Sequence, residues 1–127
     1  MKKVLGLLLI VAMFTSLSFR TENNCRKYFT GKWKYEKYDT DYIYVVREEK
    51  TQRAYMENGK YYYEFVINWL TECTYELTYK GTNSPNPAVA NIGEKFLVEI
   101  TNINDSITEY KTVFRNKTDV GKMVRIE

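Results

Sequence analysis

Arg47 raises the first chemical question. It follows Ile43 and Val45 at alternate positions, so all three fall on one face of an extended segment with apolar neighbours. If that face points inward, the guanidinium leaves water and needs partners, for which Glu48, Gln52 and Glu64 are in reach. The chemistry would be recognition of an anion, such as a carboxylate, at the mouth of a concave site. The plainer reading, a solvent-facing arginine in a surface ion pair, weighs more on sequence alone. The twelve tyrosines pose a similar choice. Aromatic-lined concavities with a few hydroxyls suit small-molecule binding, yet cross-strand aromatic pairs also stabilise a small sheet. Core packing is the main role expected of them. The residues expected to meet a ligand are Tyr44, Arg47, Tyr61, Tyr63 and Phe65.

Catalysis has little to stand on. The chain contains no histidine, so the commonest general base and metal ligand is missing. No serine sits in a nucleophile-elbow pattern. Glu64 and Glu76 could form an acid pair across neighbouring strands, but both fall on the face read as solvent-side. The expectation is a non-enzyme with no cofactor and no metal.

These residues must be positioned by strands. After residue 30 no segment keeps apolar residues at helical spacing for three turns; period-2 alternation recurs instead. The expected strands are 31–38, 42–48, 51–57, 60–70, 73–80, 94–103, 106–115 and 120–127. Asn58-Gly59 is the strongest local signal, since both residues accept the positive φ of a type I′ hairpin turn. In 60–70 the odd positions Tyr61, Tyr63, Phe65, Ile67 and Trp69 make an aromatic-rich face expected to point at the core. The stretch 81–93, holding both prolines, is the one candidate lid. Eight strands joined by short turns read as an all-β antiparallel up-and-down meander, and closure into a barrel would remove its two edges.

The first residues speak to compartment. Lys2 and Lys3 precede an apolar run, 4–14, and small residues at Ser16 and Ser18 match a signal-peptidase site. Residues 1–18 are therefore expected to be a cleaved signal peptide, giving a periplasmic or secreted protein with no stable membrane span. Glu22, Asn23 and Asn24 before Cys25 do not resemble a lipidation site. Removing the leader leaves 109 residues with 17 basic and 16 acidic side chains, so no electrostatic footprint for nucleic acid remains. Cys25 and Cys73 form an even pair in an exported small domain and are read as a disulfide, closing a loop of about 48 residues. Residues 19–30 are thus expected to be an N-terminal segment tied to a barrel domain at 31–127.

Gly31-Lys32-Trp33 opens the first strand. A Gly-x-Trp at this place resembles the mark of lipocalins and the wider calycin group, in which the tryptophan closes the barrel base and a basic residue from the last strand packs over it. Arg125 matches that role in position, with Arg115 as the alternative; the physical account is a cation over an indole face. The resemblance implies an eight-stranded barrel binding a small, partly apolar ligand. The chain is shorter than typical lipocalins and shows no C-terminal helix. The order of Cys25, Gly31-Lys32, Arg47, Gln52, Asn68-Trp69-Leu70, Cys73, Tyr75 and Leu77-Thr78-Tyr79 is also similar to small secreted proteins of Bacteroidetes-type bacteria. Some of that group bear the name DNA topoisomerase. This sequence has no nucleotide-binding loop, no nucleophilic tyrosine in a recognisable setting and no DNA-binding charge, and no activity carries over. The alternative to a ligand carrier is a structural or interaction module whose barrel is filled by its own side chains and which meets another envelope protein.

Overall fold

The structure, a computed structural model, describes residues 25–37, 42–86, 90–104 and 106–127. The expected signal peptide lies outside these residues. Alternating burial, clearest in Thr74–Thr82 where Tyr75, Leu77 and Tyr79 are buried and their neighbours are not, gives each strand one inner and one outer face. Eight such strands form: β1 Gly31–Tyr35, β2 Tyr44–Arg47, β3 Thr51–Met56, β4 Tyr61–Trp69, β5 Thr74–Thr82, β6 Lys95–Ile103, β7 Ile107–Phe114 and β8 Lys117–Arg125. A single 3-10 turn, Arg26–Tyr28, precedes them. Every strand pairs antiparallel with its neighbour in sequence, and β1 pairs with β8 through Trp33↔Arg125, Lys34↔Val124 and Tyr35↔Met123. The meander therefore closes, as the pattern predicts.

The turns set the register. At the β3–β4 hairpin, Asn58 and Gly59 have φ of 58° and 89°, but Glu57 is also left-handed at 50°. The Gly59 N–H donates to the Met56 carbonyl at 3.1 Å, so the turn centres on Glu57-Asn58, one residue earlier than expected. The last turn needs a larger correction. The sequence reading spread it over 116–119 and began the final strand at 120. Instead Arg115 and Asn116 have φ of 50° and 63°, and Phe114 pairs with Lys117 across a two-residue turn. β8 gains three residues as a result. In β5 one extra residue, Lys80, falls between the partners of Glu64 and Phe65, and the strand continues to Thr82. The loop expected from 81 thus starts two residues later.

This connectivity puts the turns at 48–50 and 70–73 and residues 104 and 106 at one end of the barrel, together with the N-terminal segment and the chain's last residues. We call this end the floor. The 57–60 and 115–116 turns and the described ends of the 83–94 connection, 83–86 and 90–94, lie at the other end, the mouth.

Candidate functional site: the barrel interior

The floor is built around Trp33, which is fully buried. Its indole N–H donates to the Phe29 carbonyl at 3.0 Å, fixing the chain that enters β1. The Arg125 guanidinium lies 4.8 Å from the centre of the indole ring and donates to the Tyr28 carbonyl at 2.8 Å. Arg125, not Arg115, thus takes the expected place; Arg115 belongs to the mouth. Gly31 has a physical reason to be glycine. Its φ is 128°, and a β-carbon there would come within 2.7 Å of the Glu127 carbonyl and run into the Arg125 guanidinium. Cys25 and Cys73 are joined, with Cα atoms 5.2 Å apart, which anchors the N-terminal segment beneath the barrel. Phe29 packs edge-on against Trp69 and Tyr75, at 4.8 and 4.9 Å.

Arg47 sits just above this plug. It is 4% exposed, so it is neither at the mouth nor in a surface ion pair, and both placements inferred from sequence are corrected. The reason is position along the strand: Arg47 pairs with Gly31 and Gln52, at the floor end of β2. Its guanidinium carbon lies 4.5 Å over the Phe29 ring and 5.3 Å over Trp33. Nε donates to Gln52 Oε1 at 3.3 Å, and Nη2 donates to the Tyr75 hydroxyl at 3.4 Å and to Met123 sulfur at 3.1 Å. Nη1 is buried and meets no acceptor among the described residues. A buried donor left unmet costs about 1–3 kcal/mol, and more on a charged group. Burial pushes the Tyr75 phenol above its ordinary value, with Arg47 opposing, so Tyr75 keeps its proton at neutral pH.

Above Arg47 the interior opens into a cavity of about 530 Å³. That lies inside the range of roughly 300–1,000 Å³ typical of small-molecule sites. Arg47, Gln52, Tyr75 and Met123 line its deep end; Tyr63, Phe65, Phe96 and Phe114 line its wall, and Lys117 and Asp119 its outer part. Phe96 and Phe114 stack at 4.0 Å, and Phe65 meets Phe96 edge-on at 5.7 Å. Tyr110 lies across Gly121, where a β-carbon would collide with its ring. Burial raises the Tyr110 phenol well above its usual range, and the nearby Tyr35 adds to this. The interior wall is therefore mostly apolar, and among the described residues Arg47 is the one buried cation, standing at its base.

Of the five residues expected to bind ligand, Arg47, Tyr63 and Phe65 line this cavity. Tyr61 shares their strand face but pairs with Met56 beside the hairpin, outside the lining set. Tyr44 is a correction. Side chains switch faces at each residue, so Tyr44 and Arg47, three apart, cannot both point inward. Tyr44 stacks on Tyr55 at 5.0 Å on the outer face, with the Lys32 ammonium 4.4 Å from its ring centre. Glu64 and Glu76 also lie outside, paired with Arg53 at 2.9 Å and Lys95 at 3.7 Å. Sequence reasoning missed Phe96, Tyr110 and Phe114 as lining residues. Alternation on β6 and β7 already placed each on an apolar face; only the register shows that these faces oppose Phe65. At the mouth, Arg115 makes a two-pronged bond to Glu94, one arm of it Nε to Oε2 at 2.9 Å. With the Asn91 N–H also donating to it, the Glu94 carboxyl is held down at about 2. The described end of the 83–94 connection is thus fastened to the β7–β8 turn.

No family model, curated protein or solved structure matches this chain. Among the described residues there is no cluster of three or more metal-binding side chains, and no helix is long and apolar enough to cross a membrane.

Proposed function

We propose that this chain is an exported, lipocalin-like carrier that holds a small, partly apolar ligand inside its barrel and performs no catalysis. The observation that carries the reading is the cavity of about 530 Å³ between a plugged floor and an open mouth, walled by Tyr63, Phe65, Phe96 and Phe114. Apolar walls with few polar groups bind by removing ligand surface from water, at about 25 cal/mol per Å² before the costs of ordering. The Gly31–Trp33–Arg125 arrangement at the base supports the likeness to lipocalins. The Cys25–Cys73 bond supports an oxidising compartment, periplasmic or extracellular.

A thermal-shift titration with an uncharged apolar probe, N-phenyl-1-naphthylamine, tests the reading. A carrier gains stability by mass action as probe concentration passes the dissociation constant, and the probe's fluorescence rises on entering the barrel. No shift and no fluorescence gain would favour a barrel that acts through its outer surface on another envelope protein.

A further inference from the structure

We infer that the ligand is an amphiphile with one carboxylate head, seated head-first against Arg47 with its tail toward the mouth. This rests on the interior being a ligand cavity. The Arg47 guanidinium offers five N–H donors in a fixed fork. Its hydrogen-bond acceptors, Gln52 Oε1, the Tyr75 hydroxyl and the Met123 sulfur, are all neutral, and the two oxygens stand at 3.3 and 3.4 Å. No carboxylate lies within ion-pair distance among the described residues, although Arg53 and Arg115, both on the outside, each have one. Among the described residues Nη1 has no acceptor.

The cavity's own acid does not answer this charge. Asp119 is four residues toward the mouth from Met123 on β8, roughly 13 Å along the strand. The deep end is therefore a desolvated positive site with an unused donor, while the wall above it is aromatic. A wholly apolar ligand would leave that donor unmet, and a cationic head would be repelled. With Nε and Nη2 already donating to Gln52, Tyr75 and Met123, one carboxylate oxygen would take the Nη1 donors, and the Tyr75 hydroxyl, still carrying its proton, can donate to the second oxygen.

The test compares decanoate with decanol and decylammonium, titrated into the full-length oxidised protein. Tryptophan fluorescence, from Trp33 and Trp69 together, is one readout, since the Trp33 ring lies 5.3 Å from the Arg47 guanidinium. The second is the Arg47 Nε–H resonance. Decanoate should bind at least about tenfold tighter than decanol, the scale of one charge-assisted hydrogen bond. Decylammonium should be the weakest. Decanoate alone should move the Arg47 resonance, a readout that needs no variant. In Arg47→Met the preference for decanoate should vanish while decanol still binds. Equal affinity for decanoate and decanol in the parent protein overturns the head-first assignment and leaves the carrier reading standing. A preference that persists in Arg47→Met overturns the role of Arg47. Failure of all three probes to bind overturns both the assignment and the carrier reading.

Discussion

At the floor, Trp33 is sealed between the Phe29 carbonyl, the Arg125 guanidinium and the disulfide-anchored N-terminal segment. At the mouth, Phe96 and Phe114 are just as aromatic and stack on each other, yet both remain only partly buried and border open space. The two ends draw on the same residue types. What separates them, among the described residues, is the covering chain: the N-terminal segment is fastened to the floor by the Cys25–Cys73 bond and the Trp33–Phe29 hydrogen bond, whereas Lys117 and Asp119 border the cavity at the other end. Stability should thus concentrate at the floor, and binding between floor and mouth.

Substitutions grade this contrast. Trp33→Ala should cost the most, about 3–5 kcal/mol, because it empties a fully buried site under two packed elements. A denaturant titration that moves the midpoint by less than a third of that would mean the floor is not the stabilising end. Cys73→Ser should remove about 3–4 kcal/mol in the chain-entropy account and free the segment bearing Phe29. Hydrogen exchange should then rise first in β1 and at the floor end of β2, and an unchanged pattern would separate the disulfide from the plug. Phe114→Ala, at the half-buried mouth, should cost only about 1 kcal/mol of stability. It should still weaken binding of an apolar probe; a loss as large as that of Trp33→Ala would erase the distinction between the two ends.

The smallest effect concerns Glu94. Its carboxyl, held at about 2 against an ordinary 4.5 by Arg115, contributes stability that is fully present above about pH 4.5. That contribution fades as pH falls through about 2, because the folded state binds its proton later than the unfolded chain. Arg115→Met should return the carboxyl midpoint toward 4.5 in a carbon-detected NMR titration, with little change in stability at neutral pH. A midpoint that stays near 2 would assign the depression to the Asn91 N–H instead.

Much of the architecture was legible because period-2 alternation is a local property. The eight strands and the inward face of β4 follow from it, whereas the pairing of Trp33 with a basic residue of the last strand is implied by the Gly-x-Trp resemblance and not by alternation. What could not be read needs register. Arg47 was recognised as lying on an apolar face, but whether that face met the floor or the mouth depended on where β2 pairs with β1 and β3. Grouping Tyr44 with Arg47 conflicts with alternation itself, since residues three apart on a strand face opposite sides. The turn at Arg115-Asn116 carries no glycine, and its arginine is held at positive φ beside a Glu94 bond formed 21 residues away in sequence. The extra residue at Lys80 likewise leaves no local mark beyond Gly81.

The central claim is that the interior rings, not the outer tyrosines, meet the ligand. Intermolecular nuclear Overhauser effects between decanol methylenes and ring protons of the folded, oxidised protein test it most directly. Cross-peaks to Tyr63, Phe96 and Phe114, with none to Tyr44 or Tyr55, are the predicted result. Cross-peaks confined to Tyr44 and Tyr55 would contradict it.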